Sequence, residues 1–186
     1  RVLFRSFGAH NPGQRELPFC IHTRYSTQQA ILEDIVASLY AQGMRKLIIL
    51  SGHGGNNFKG MIRDLAFVYP DFLIIAADWF SIVPPKDYFE AVVDDHAGES
   101  ETSVMMHYHP ELVNLAEAGD GESQPFAIPS LNEKVGWAPR HWDKATVDSG
   151  VGNPKKASAE KGERYMKPVV EKLSKLFTEV GQGSLY

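Results

Sequence analysis

Two short segments concentrate the side chains that could hold a metal or move a proton. In the first, Ser51-Gly52-His53-Gly54-Gly55-Asn56-Asn57, a single imidazole stands among glycines. Neutral imidazole is both a metal ligand and a proton carrier, and the glycines leave no Cβ in the way of an ion or a substrate. In the second, Asp94-Asp95-His96-Ala97-Gly98-Glu99-Ser100-Glu101-Thr102-Ser103, four carboxylates and a histidine fall within eight positions. Carboxylate with imidazole suits zinc, manganese or ferrous iron, and a histidine kept off the metal can shuttle a proton. Each segment also has a plainer reading. The first is then a strand-to-helix turn with its histidine in water, the second a solvated helix start whose acids favour the helix dipole.

The elements that must position these groups follow from apolar spacing. Leu47-Ile48-Ile49-Leu50 reads as a buried strand, and the residues just past its carboxyl end sit where open α/β sheets place their ligands. Before it, Ser26-Thr27 can cap a helix with Ile31, Ile35 and Leu39 on its apolar face, ending before Gly43. After it, a helix from about 57 to 68 carries Met61, Leu65 and Val68, closed by Pro70. Phe72-Leu73-Ile74-Ile75-Ala76-Ala77 is the next strand, and its end brings Asp78 beside the His53 turn if the two strands are parallel neighbours. A helix starting near Glu99 sets Glu101 about 200° round from Glu99, so the two glutamates have different jobs. Met105 and Met106 read as core filling. Residues 119–153 are irregular and carry Trp137, Arg140, His141 and Trp142, a pocket wall or, preferably, a subunit interface. A last amphipathic helix spans about 158 to 180. The alternation predicts an α/β fold, three-layer α/β/α with a mainly parallel sheet.

Composition narrows the function. A chain of 186 residues, 43% hydrophobic, suits one domain over residues 1–186. The net charge of −4 without a basic run argues against nucleic acid and membrane as partners and leaves a small-molecule substrate. The single Cys20 cannot form an internal disulfide, and no stretch reaches the roughly 18 apolar residues of a membrane span, so the expected location is cytoplasmic. Neither a Gly-x-Ser-x-Gly elbow nor a phosphate-binding glycine loop is present.

Taken together, the Gly52–Asn56 turn and the His96–Ser103 segment resemble the creatininase family of metal-dependent amidohydrolases. The stretch from Asp148 to Pro154, followed by 157–162, is similar to that family's closing segment before its last helix. The resemblance implies a creatininase-like fold, with His53 and Glu101 as ligands of a divalent metal, zinc first and manganese or iron as alternatives. It implies that His96 is the catalytic histidine, with Asp95 and Glu99 positioning it or the substrate, and a homo-oligomer, possibly a hexamer. Gly54, Asn56, Asp78 and Trp142 complete the candidate site as substrate contacts.

Two departures argue against creatinine as the substrate. Creatinine-opening enzymes carry a metal-binding glutamate where this chain has Gly55, and a tryptophan before the catalytic segment where it has Ala91-Val92-Val93. A third departure is the Glu-x-His-Gly strand and later aspartate with which the family begins. Neither follows Arg1-Val2-Leu3-Phe4, and His10 and Glu16 do not fit the pattern, so an N-terminal portion is expected to be missing. The expected activity is hydrolysis of a non-peptide or cyclic amide C–N bond by a metal-activated water. The alternative is a non-catalytic scaffold or small-molecule binding module on the same fold. The expectation depends on His53 and the 95–101 cluster serving one site.

Overall fold

The structure is a computed structural model that describes residues 7–8, 11–17 and 20–184. Arg1 to Phe4 and His10, used in reading the sequence, lie outside the described residues. The chain divides into two compact units. One takes 1–10, 19–82 and 169–186; the other takes 11–18 and 83–168.

In the first unit, strand β1 (Phe7–Gly8) pairs in parallel with β2 (Ile21–His22), and helix α1 (Tyr25–Ala41) follows. Strand β3 (Lys46–Ser51), helix α2 (Lys59–Val68) and strand β4 (Leu73–Asp78) then form a crossover unit. β3 and β4 pair in parallel from Lys46 opposite Leu73 to Ser51 opposite Asp78. The expected neighbouring parallel strands are therefore present, and Asp78 stands across from the first residue of the histidine turn. Leu32, Val36, Met61, Leu65, Phe72 and Ile74 bury against one another as the core. Each such side chain contributes about 1.5–3 kcal/mol by leaving water.

The inner face of α1 differs from the expected stripe. Leu32 and Val36 are buried, whereas Ile35 is 40% exposed. The inner face is centred on Leu32 and Val36, so Ile35, about 100° before Val36, falls to its edge, while Leu39 still packs against the core. Nor do Ser26 and Thr27 cap the helix. Arg24 holds that position without a side-chain bond, its carbonyl accepting from the Thr27 and Gln28 amides. On α2, Val68 is exposed rather than facing in with Met61 and Leu65.

In the second unit, β5 (Asp94–His96) pairs antiparallel with β6 (Val151–Gly152), with a register shift between Asp94 and His96. Helix α3 (Glu99–Tyr108) starts where the sequence places it. Ahead of β6, the irregular stretch holds the short helices α4 (Pro129–Asn132) and α5 (Trp142–Ala145), with a bridge from Ser123 to Thr146. Helix α6 (Ala159–Gln182) gives its residues up to Pro168 to this unit and the rest to the first. Buried Tyr165 donates its hydroxyl to the Val83 carbonyl at 3.1 Å and meets the Tyr88 and Phe89 rings edge-on. Gly162 lets α6 approach α3 so closely that a Cβ there would collide with the Ser103 carbonyl. Met105 is 39% exposed, so it does not fill the core as expected; it faces a surface cavity described below. Among the described residues no helix is long and apolar enough to cross a membrane.

Candidate active site

The two motifs fall in different units, and each is built by its own local physics. In the first unit the apolar run of β3 ends at buried Ser51, and the chain turns outward, leaving His53 exposed. The turn closes on itself. Gly55 N–H donates to His53 Nδ1 at 3.0 Å, Asn56 N–H donates to the His53 carbonyl at 3.1 Å, and Asn57 Oδ1 accepts from the Lys59 amide at 3.2 Å as α2 begins. A Cβ added at Gly54 would meet the Phe80 ring at ordinary van der Waals distance. A cavity of about 280 Å³ opens behind this turn, lined by Asn56, Asn57, Lys59, Arg63 and Asp78 among others. It brings two of the candidate substrate contacts, Asn56 and Asp78, to one place. Lys59 and Arg63 were not singled out in the sequence; their spacing of four on α2 was the available signal.

In the second unit His96 ends β5, and Ala97 turns the chain with φ of 52°. A non-glycine residue rarely holds that conformation without support. Glu101 supplies it, its Oε2 accepting from the Ala97 amide at 2.7 Å. Asp94 accepts from the Ser100 amide at 3.1 Å and so caps α3, although burial raises its pKa. Glu99 is fully buried and turns the other way, accepting from the Glu90 and Ala91 amides at 2.9 and 2.8 Å and from Lys161 Nζ at 2.5 Å. Ser103 Oγ donates to the Glu99 carbonyl at 2.6 Å and accepts from the Ser158 amide at 3.1 Å. The opposite directions of Glu99 and Glu101 follow from their roughly 200° separation.

Lys161 also pairs with Glu90 at 3.0 Å, and Lys156 pairs with the same carboxylate at 2.8 Å. These two hydrogen-bonded ammonium groups pull the Glu90 pKa down to about 2, and the Glu99 and Glu90 carboxylates raise that of Lys161. The Glu90–Lys161 lattice carried no sequence signal, because its members are 71 residues apart. The His96 ring meets Trp142 edge-on, centroids 5.0 Å apart. Trp142 also lies under the Arg140 guanidinium at 5.0 Å, and Arg140 Nη1 sits 2.9 Å from Asp95 Oδ2. The two tryptophans therefore part company. Trp142 is buried inside its unit, which removes it from the expected interface, while Trp137 is 84% exposed. Glu101 also lines a second cavity of about 370 Å³, with Thr102, Met105 and Asp148.

As placed, these residues do not by themselves make a metal centre. Among the described residues no group of three or more histidine, cysteine, aspartate or glutamate side chains converges. His53 Nδ1 spends its lone pair on the Gly55 N–H, which in the neutral ring leaves the proton on Nε2.

The parallel β3–β4 pair with its crossover helix α2 defines an α/β fold. The chain belongs to the creatininase family, whose model, described as creatinine amidohydrolase, matches residues 5–177. A crystal structure of a candidate creatinine amidohydrolase from Bacteroides fragilis NCTC 9343 is 84% identical, with a TM-score of 0.94 over 97% of this chain and 71% of that one. A mycofactocin precursor peptide peptidase from Mycobacterium ulcerans (strain Agy99) is 32% identical over 131 residues, 68% of this chain. The match spans only 45% of that curated relative. A mutant creatininase of Zn–Zn type shares the fold, with a TM-score of 0.68 at 22% identity over 91% of this chain and 71% of that one.

Proposed function

We propose that the protein is a metal-dependent amidohydrolase that opens a non-peptide or cyclic amide C–N bond, with an activated water as nucleophile and His96 handing a proton to the departing nitrogen. The observation that carries this reading is the placement of His96. It stands at the end of β5, its ring against Trp142, in a segment whose two glutamates face opposite ways, Glu99 accepting from the Glu90 and Ala91 amides and Glu101 from the Ala97 amide. General acid catalysis by one such group is worth about 10²–10⁴ in rate. Asp95, tied to Arg140, fixes the backbone beside it, and Glu99 positions the segment from behind. Family membership supports the reaction class, and the match to residues 5–177 in both units supports one creatininase-like domain over 1–186.

The finer reading includes a divalent ion, zinc first with manganese or iron as alternatives, which supplies the activated water. His53 and Glu101 are its proposed ligands, with Gly54, Asn56, Asp78 and Trp142 as substrate contacts. His53 reaches a metal only by releasing the Gly55 N–H. A small-molecule substrate, a homo-oligomer and a cytoplasmic location belong to the same proposal. The ligand assignment is tested by elemental analysis of protein purified with zinc or manganese. His53→Ala and Glu101→Ala should each lower the bound metal; an unchanged stoichiometry in both would refute the assignment.

A further inference from the structure

We infer that the cavity behind the His53 turn binds a carboxylate, so that the substrate is an amide carrying a free carboxylate. The inference rests on the amidohydrolase reading and names its substrate class. The cavity lies at the carboxyl end of the parallel pair β3 and β4, where open α/β sheets take their ligands. Two cations line it. Lys59 opens α2 and Arg63 follows one turn later, which puts both on one face of the helix. Like charges at that spacing repel each other, and among the described residues neither forms an ion pair. An anion between them relieves the repulsion and gains charge-assisted hydrogen bonds, bidentate from the guanidinium.

The remaining lining fits the rest of such a molecule. The Asn56 side chain adds an amide donor and acceptor, and Asn57 adds its side-chain amide donor, its Oδ1 being engaged by the Lys59 amide. Asp78 gives the same cavity one carboxylate, an acceptor for an amide N–H of the ligand rather than a site for a second anion. At about 280 Å³ the space sits at the small end of ligand pockets, which suits an acylated amino acid or the end of a short peptide.

The test compares N-acetylglycine with its uncharged counterpart, N-acetylglycinamide, by titration of the backbone amide NMR signals of 56–59. Hydrolysis of a matched pair of amides, one with a free carboxylate and one with that group as a primary amide, runs in parallel. N-acetylglycine should bind about tenfold tighter, the value of one good charge-assisted pair. Arg63→Gln and Lys59→Gln should bring the two probes within about twofold of each other, and Arg63→Lys should restore part of the difference. Equal binding of both probes, or a preference that survives both glutamine variants, would overturn the inference. If no amide is hydrolysed while the binding preference stands, the amidohydrolase reading has failed and the carboxylate site has not. A longer peptide with a free carboxyl end, run beside N-acetylglycine, separates a peptide terminus from a small acylated amino acid by which of the two binds more tightly.

Discussion

The two histidine segments are held by opposite means. The 52–57 turn is largely exposed and is closed mainly by bonds among its own residues. The 94–103 segment is wired into its unit by a fully buried carboxylate, a lysine from α6, a serine relay and an antiparallel partner strand. The first arrangement lets an imidazole turn towards a ligand at little cost, because the bond it gives up is replaced by water. The second holds His96 in a segment with little freedom to turn, as the proposed proton transfer requires, whereas the exposed turn is free to adapt.

The contrast can be broken most directly at Glu99. Glu99→Ala leaves two backbone amides and much of Lys161 without their acceptor, and removal of one member of a buried charge pair costs about 3–5 kcal/mol. We expect the lower part of that range, since Lys161 keeps Glu90, and a fall in Tm of roughly 6–12 °C by calorimetry. His53→Ala in the same assay should shift Tm by less than about 2 °C. Equal shifts for the two variants would erase the contrast.

A smaller effect comes from pH. The Glu90 pKa in the folded chain, about 2, lies below its ordinary value of 4.5. Its contribution is therefore complete above about pH 4.5 and is lost as pH falls from there towards 2. Lys161, raised by Glu99 and Glu90, works in the opposite sense: its contribution is complete below 10.5 and is lost at higher pH. Glu90→Gln should flatten the acid limb of the stability profile between pH 5 and 2, and an unchanged limb would remove the pair from the account. The effect is small because the Glu90 side chain is more than half exposed.

Most of the framework was legible in the sequence, and the wiring was not. Apolar runs and glycines located β3, β4 and the turn between β3 and α2, since apolar patterning and chain reversal are local properties, but Leu50 is half exposed where a buried strand was expected. The start of α3 at Glu99 was equally readable from its acids and the apolar residues after them. What escaped depended on partners distant along the chain. Lys161 and Glu90 meet only because α6 packs on α3 at Gly162, and the pairing of Arg140 with Asp95 needs Trp142 to turn inward. Local pattern also misled at Ile35 and Met105, where apolar type suggested burial and helix phase decided otherwise. Asn56 and Asp78 were expected near one another and line one cavity, because parallel register sets Ser51 opposite Asp78.

The central claim is that His96 moves the proton that releases the amine. The measurement is kcat for a panel of cyclic and acylated amides with the protein and with His96→Ala, alongside the metal content and Tm of both. The account predicts a loss of 100-fold or more in kcat for the variant, with metal content and Tm unchanged. A variant that hydrolyses the same amides at the original rate would contradict it.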